Sequence, residues 1–337
     1  MNIKGIIKKT ALGKVKERYN RIQFAKVYSK EYLTQYLDES ATNTKGTDSK
    51  YLRLRIIIGT HSLEKGLSHK EFKPGFGKGL VKELVSMLKI YSTYTNADKF
   101  VIDSAYEILS QYHQKNKQYN FDDSEYLPNS YRIKNSYHTM NAGTKEYDIE
   151  KTIECIKKFD FAQFSNQRVS VRMFENKGVE ISDDILMKSI SIAQNAPNAC
   201  NRQSVRVHIL KKRECFKTVE NFQLGCKGFG ENVSCFIFIT NDLSLYECAE
   251  VKLPIFDAGL FTMNLVYALM SEGLLSCVLN ASFPAPGAEA EIRKMLNIPE
   301  NENINGLIAV YKINDVKKIR VPLSQRRNVN EICRIVE

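Results

Sequence analysis

Apolar residues recur every three or four positions along the first part of the chain, the spacing of a helix with one apolar stripe. Ile3, Ile7, Ala11, Val15, Tyr19 and Ile22 follow it, so a helix is predicted over 3–36. The polar stretch 38–50 reads as a loop, and two or three further helices follow around 51–65, 77–93 and 97–116. From 115 to 145 Asn, Tyr, Asp and Ser gather around Pro128 with no sustained period. Such a run is too long for an ordinary loop inside one compact domain and suggests a linker. The pattern then changes: short β-rich runs at 205–210, 234–240, 276–279 and 307–313 alternate with helices at 183–195 and 257–272. Ser182 and Asp183 suit the start of the first of these helices. The second is apolar nearly all round and stops at Gly273, so it is expected to be buried. The predicted class is α+β, with a mostly helical region over 1–150, including a linker at about 115–150, and a sheet-containing domain over 151–337.

The net charge of +11 suits an anionic partner or simply a solvated basic surface. Nucleic acid is not an expected partner, because zinc-finger, helix-turn-helix and aromatic RNA-binding signatures are missing. Lys4, Lys8, Lys9, Lys14, Lys16, Arg18 and Arg21 cover much of the first helix, which Gly5 and Gly13 weaken. Such a helix can lie on anionic lipid or pack against its own domain or a dimer partner. The first residues lack the apolar core of a signal peptide, and the apolar stretch 258–270 is shorter than the about 20 residues that cross a bilayer. The expected location is cytoplasmic, at most peripheral to a membrane. Eight cysteines without a Cys-x-x-Cys pair, several of them in apolar runs, fit a reducing compartment.

Two strings carry candidate chemistry. In Arg168-Val169-Ser170-Val171-Arg172-Met173-Phe174, extended geometry puts Arg168, Ser170 and Arg172 on one side and turns Val169 and Val171 inward. Two guanidinium forks around a hydroxyl can cradle a phosphate or another electron-rich group. In Ala196-Pro197-Asn198-Ala199-Cys200-Asn201-Arg202-Gln203, Pro197 ends a helix, and the amides of Asn198, Asn201 and Gln203 can bond a heterocycle or the backbone.

The order of these strings, with a helix between them and a strand after, resembles the opening of the nitroreductase-like FMN flavoprotein family. The resemblance continues through the helix 257–272, the turn Gly273-Leu274-Leu275-Ser276, and the basic cluster Arg320-Val321-Pro322-Leu323-Ser324-Gln325-Arg326-Arg327, covering about half the chain. It implies a mixed sheet between helices, and a homodimer with FMN at the subunit interface. It also implies a small-molecule substrate and NADH or NADPH as electron donor. Arg168 and Ser170 would hold the phosphate and ribityl end, with Arg172 at the pyrimidine edge. Pro197, Asn198 and Asn201 would come from the partner subunit, and Arg320, Arg326 and Arg327 would complete the phosphate site. Asn280 and Ala281 match the segment whose backbone amide approaches flavin N5. No catalytic side-chain set is implied beyond these, since the flavin carries the electron chemistry. Asn198, Ser204, Val205 and Leu275 depart from residues common in the family, which puts general nitro-compound reduction in doubt.

The first half also contains His61-Ser62-Leu63-Glu64-Lys65-Gly66-Leu67-Ser68-His69. His61, Glu64 and His69 match no standard metal spacing, and a helix ending with Gly66 as its cap explains much of the string. It resembles an N-terminal extension of nitroreductase-like proteins associated with bacterial surface-polysaccharide synthesis. A non-catalytic flavoprotein or scaffold, recruiting a membrane or protein partner through the basic helical half, is the alternative reading.

Overall fold

The computed structural model describes residues 11–41, 44–132, 143–144, 148–174, 177–314, 318–322, 324 and 326–337. The first helix, α1 (Ala11–Glu39), is followed by α2 (Ser49–Leu67), α3 (Lys78–Tyr91) and α4 (Lys99–Gln118). The predicted start of the first helix, 3–10, lies outside the described residues. Aspartates set two of the starts: Asp48 accepts from Lys50 N at 2.8 Å, and Asp98 from Phe100 N at 3.1 Å, satisfying amides that the helix leaves open. Gly66 is not the cap of α2, which runs on to Leu67 and is capped at Ser68. A Cβ at Gly66 would meet the Phe76 ring at 2.0 Å, so close packing explains this glycine. Helices α2, α3 and α4 enclose one core, with Leu63, Leu84, Leu88, Ile108 and Tyr112 at its centre.

The predicted linker is more structured than its composition suggests. Helix α4 extends into it, α5 (Asn129–Arg132) follows, and α6 (Ile149–Lys157) and α7 (Phe161–Asn166) lead into the second half. The prediction missed α6 and α7, whose apolar residues Ile149, Ile153, Ile156 and Phe161 stay exposed and form no core within the protomer.

The second half is built on a sheet of order β1-β2-β4-β3, with β1 (Val205–Leu210), β2 (Cys235–Asp242), β3 (Leu275–Leu279) and β4 (Glu302–Tyr311) paired antiparallel. A parallel bridge from Ser170 to Ser276 extends it past β3 and makes it mixed. Alternate residues of β2 serve two cores. Phe236 and Phe238 face α9 (Phe216–Phe222) and α11 (Ala288–Leu296), while Cys235, Ile237 and Ile239 face α8 (Asp183–Ala193) and α10 (Leu253–Ser271). β4 begins five positions before its predicted start because its polar opening, Glu302 to Asn305, continues the ladder past a register shift at Ile239/Thr240. Ser182 occupies the cap position of α8 but makes no side-chain cap bond.

Helix α10 differs from expectation in two ways. It is 19 residues long, and by length and composition it could cross a membrane, but one face lies on the sheet. It is also not buried all round, since Ile255 (55% exposed), Phe256 (61%) and Met263 (40%) face outward.

The two halves join through side chains. Arg53 of α2 donates to Asp98 Oδ2 from Nε (3.2 Å) and Nη2 (3.0 Å), and to Asp242 Oδ2 from Nη1 (2.8 Å). The end of α1 packs on the sheet domain as well. Tyr32 Oη donates to Val251 O at 2.8 Å, Gln35 to Glu300 O at 2.9 Å, and Tyr36 to Glu247 O. Tyr19 and Ile22, earlier in α1, remain exposed.

Burial pushes the Asp242 carboxyl up, but Arg53, Ser244 and Asn301 outweigh it and hold the group below the usual carboxylate range. Its stabilising contribution is therefore complete above the ordinary aspartate value of about 3.9 and is lost as pH falls through the lower folded value. Asp242→Asn is expected to cost about 3 kcal/mol at neutral pH, because it leaves Arg53 with half its charge partners at a buried junction. Urea unfolding at neutral pH, repeated at decreasing pH below about 4, should show the gap between variant and parent closing.

Candidate functional site

The sequence-derived site residues fall into two groups that stand apart in the protomer. The first lies along the outer edge of β3. Val171 N donates to Ser276 O at 3.0 Å, beside the Ser170 bridge, and Val171 and Met173 enter the core. Val169 does not turn inward as expected and is 36% exposed. Only one residue pair bridges to β3, so strand alternation does not reach back to it. Arg168, Ser170 and Arg172 are partly buried around the Cys277 thiol. Burial pushes that thiol up, while Arg172, Ser170 and Arg168 pull the other way. Neither arginine has an ion-pair partner among the described residues, so two partly desolvated cations flank a hydroxyl.

At the end of β3, Asn280 is held by Gln223, whose Nε2 donates to Asn280 O at 2.9 Å and to Oδ1 at 2.7 Å. Asn280 Oδ1 also accepts from Ser282 N at 3.1 Å, which fixes the turn through Ala281. Gln223 was not foreseen; it sits outside both strings, and only its burial marks it. Arg320, Arg326 and Arg327 are exposed. Arg326 bonds Ser324 O, and Arg327 pairs with Glu331 at 3.1 Å. Val321, next to Arg320, packs on the same core as Val171 and Ala281, which brings Arg320 to this side of the domain. No described contact joins Arg326 or Arg327 to Arg168, Ser170 or Arg172.

The second group is the loop leading into β1, at the opposite edge of the sheet. Cys200, Asn201 and Gln203 all adopt positive φ, at 51°, 53° and 49°, a region that costs a non-glycine residue roughly 1 kcal/mol or more. Bonds from outside the loop, and one within it, hold it there. Asp257 of α10 accepts from Ala199 N at 3.2 Å, Asn198 Oδ1 accepts from Gln203 N at 2.8 Å, and Arg202 forks onto Glu250 at 2.6 and 2.8 Å. Asp257 is 2% exposed and also accepts from Tyr246 Oη at 2.8 Å. Burial pushes its carboxyl up, against the pull of those two donors. Pro197 and Asn201 are exposed at the tip and Asn198 is partly buried.

The separation follows from the topology. From the bridge at Ser170 through β3, β4 and β2 to β1 is four strand spacings, about 19 Å. The two groups also lie near opposite ends of α10: Asp257 touches the loop, while Tyr267 bonds Ser165 Oγ at 2.7 Å, just before Arg168. Those ten residues of helix span about 15 Å.

A cleft of about 800 Å³ opens between the second group and helices α2 and α4. His61 borders it with Nδ1 3.1 Å from Glu64 Oε2, whereas His69 is exposed. Among the described residues no cluster of three His, Cys, Asp or Glu could hold a metal.

The Nitroreductase family model matches residues 166–221 and 214–310, the region that carries both groups. The fold is thus an α+β nitroreductase-like one, preceded by a helical region. Similar crystal structures include a nitroreductase family protein from Streptococcus pneumoniae TIGR4, 18% identical over 52% of this chain and 100% of its own (TM-score 0.44). A nitroreductase-like protein from Streptococcus mutans is 19% identical over 53% and 98% (0.42). The FMN-dependent nitroreductase from Clostridium difficile R20291 is 20% identical over 48% and 91% (0.41). No curated protein matches the chain.

Asp257→Ala should leave the Ala199 amide without its acceptor and take one of three partners from the Tyr246 hydroxyl, and so destabilise the protein by about 2 kcal/mol. Hydrogen exchange checks the assignment: the Ala199 amide should exchange faster in the variant, while β2 amides, in the sheet centre, should respond only to the global loss.

Proposed function

We propose that this protein is an FMN-dependent oxidoreductase that works as a homodimer, accepts electrons from NADH or NADPH, and passes them to a small-molecule acceptor in a ping-pong cycle. One observation carries the reading: two partly buried arginines with no carboxylate partner among the described residues flank Ser170 along the outer edge of β3, inside the region that the Nitroreductase family model matches. That donor set fits a phosphorylated, electron-rich cofactor, because guanidinium forks suit phosphate and a cation lowers the cost of negative charge on a reduced ring. Arg168 and Ser170 would hold the phosphate and ribityl end, and Arg172 the pyrimidine edge. Arg320 would approach from the C-terminal segment, joined by Arg326 and Arg327 in the assembled dimer. FMN supplies hydride or electron transfer when bound, and the protein binds and orients it.

The separation of the two groups supports the dimer. A two-fold axis that lays α10 antiparallel to the partner's α10 brings the end near Arg168 of one subunit beside the Pro197–Gln203 loop of the other. Ile255, Phe256 and Met263 on the outer face of α10 are apolar side chains suited to such a contact. The seven cysteines whose side chains are described are free, which supports a reducing cytoplasmic setting. Asn198, Ser204 and Leu275, which depart from residues common in the family, favour an acceptor other than general nitro compounds. The likeness of the His61–His69 string to extensions found with surface-polysaccharide synthesis suggests that setting.

The first test is the visible spectrum of the purified protein, with the chromophore released by heat and identified. FMN that bleaches anaerobically with NADH or NADPH is the expected result; a colourless protein that takes up no added FMN overturns the proposal, and FMN that neither nucleotide bleaches leaves a binding role. The double substitution of Arg168→Ala with Ser170→Ala should lower FMN retention at least tenfold, two charge-assisted contacts being worth well over 1.4 kcal/mol. Flavin content per subunit measures it. Phe256→Asp should shift sedimentation from dimer toward monomer and release FMN in parallel.

A further inference from the structure

Helix α1 presents two different sides. From Tyr32 onward one side is held to the sheet domain, with Tyr36 fully buried and Tyr32 bonded to Val251 O. Before that point every side chain described between Arg18 and Glu31 is exposed. Tyr19, Ile22, Lys26, Lys30 and Leu33 follow one another at steps of three or four, so at about 100° per residue they share a stripe roughly 80° wide. Tyr19 is 60% exposed, and Ile22 and Leu33 are 44% exposed. Ile22, Lys26, Lys30 and Leu33 border one open hollow on the surface, as residues of a shared face should. Tyr32 and Tyr36 lie about 100° round from the centre of the stripe, so docking the helix on its own domain leaves the stripe open. Glu31 and Asp38 lie about 120–140° round, so neither acid offsets the two lysines within it.

Charge is concentrated at the same end of the chain. Over residues 1–30 Lys and Arg outnumber Asp and Glu nine to one, so this short segment carries +8 of the net +11. A surface that mixes apolar side chains with unopposed cations narrows the choice of partner. Nucleic acid would take up the charges and leave Ile22 and Leu33 in water. A second copy laid along the stripe would set Lys26 and Lys30 against like charges. An anionic lipid surface accepts both kinds of residue: Ile22 and Leu33 enter the boundary of the acyl chains, while the lysine stems follow them and leave the ammonium groups at the phosphates. Among the described residues only α10 is long and apolar enough to cross a membrane, so α1 would lie along the surface. From Arg18 to Leu33 it offers about 22 Å for that contact.

We propose that the Tyr19–Leu33 stripe of α1 docks the protein on an anionic lipid surface, with the helix in the membrane plane. The proposal does not depend on flavin binding, since no residue of the stripe belongs to either site group.

Co-sedimentation of the full-length protein with vesicles tests it. Vesicles of phosphatidylcholine and phosphatidylserine in equal parts should pull the protein down, vesicles of phosphatidylcholine alone should not, and added salt should weaken the binding. Lys26→Glu with Lys30→Glu should weaken it about tenfold or more, and Ile22→Ser with Leu33→Ser about tenfold. Both pairs replace exposed residues, so the thermal midpoint should stay that of the parent. The chain has no tryptophan, so Ile22→Trp and Glu31→Trp each introduce a single reporter. Emission from Ile22→Trp should shift to the blue on the anionic vesicles and be quenched by brominated lipid, while Glu31→Trp, on another side of the helix, should keep its emission in buffer. Absence of binding, equal binding to both kinds of vesicle, or equal emission from the two reporters overturns the proposal. Full vesicle binding by the Ile22→Ser, Leu33→Ser protein marks the lysines as a general polyanion site and overturns the lipid assignment. A parent that ignores vesicles, yet loses mass in sedimentation when those two residues are changed, gives the stripe to a second copy instead.

Discussion

The forked guanidinium of Arg53 is the contact on which the relation of the two halves depends. It reaches the cap of α4 on one side and the last residue of β2 on the other. One carboxylate partner comes from the helical half and the other from the sheet half, so losing either leaves a largely desolvated cation. The interaction is directional as well as strong, because a planar fork fixes both distance and rotation. The apolar contacts around Tyr36, Leu243, Leu245 and Tyr246 supply area at this junction. Arg53 supplies its alignment.

From that alignment the cleft follows. Helix α2 is held close to the strained loop before β1, and α10 reaches the same loop from beneath through Asp257. The three left-handed residues of the loop persist because bonds from α10, from Glu250 and within the loop determine their positions together. The loop is thus a shared part: one side faces the helical half, and its exposed tip, Pro197 and Asn201, is free to meet another subunit.

Much of this was legible in the sequence, for identifiable reasons. The strands of the sheet were found within a few residues because β2, buried on both faces, reads as one apolar run. The two candidate strings stood out because arginine, serine and asparagine at short spacing suit phosphate and heterocycle binding. What escaped depends on tertiary context. Helices α6 and α7 leave most of their apolar residues exposed, and α7 meets the rest of the chain at Tyr267, so no buried stripe marked them in the sequence. Gly66 looked like a cap, and only the Phe76 ring explains it. Arg53, Gln223 and Asp257 belong to no local motif, since their partners lie elsewhere in the chain. The outward face of α10 was read as core because composition cannot tell a buried side chain from an exposed apolar one.

The junction also orders events in time. Arg53 and Asp242 are 189 positions apart, so the ribosome completes the helical half well before it makes the strand that Arg53 must meet. At roughly 5–20 residues per second that interval is about 10–40 s. Throughout it, Arg53 has only Asp98 of its two carboxylate partners. A nascent chain of this protein therefore passes a stage at which the helical half has been made but the carboxylate that completes the Arg53 fork has not.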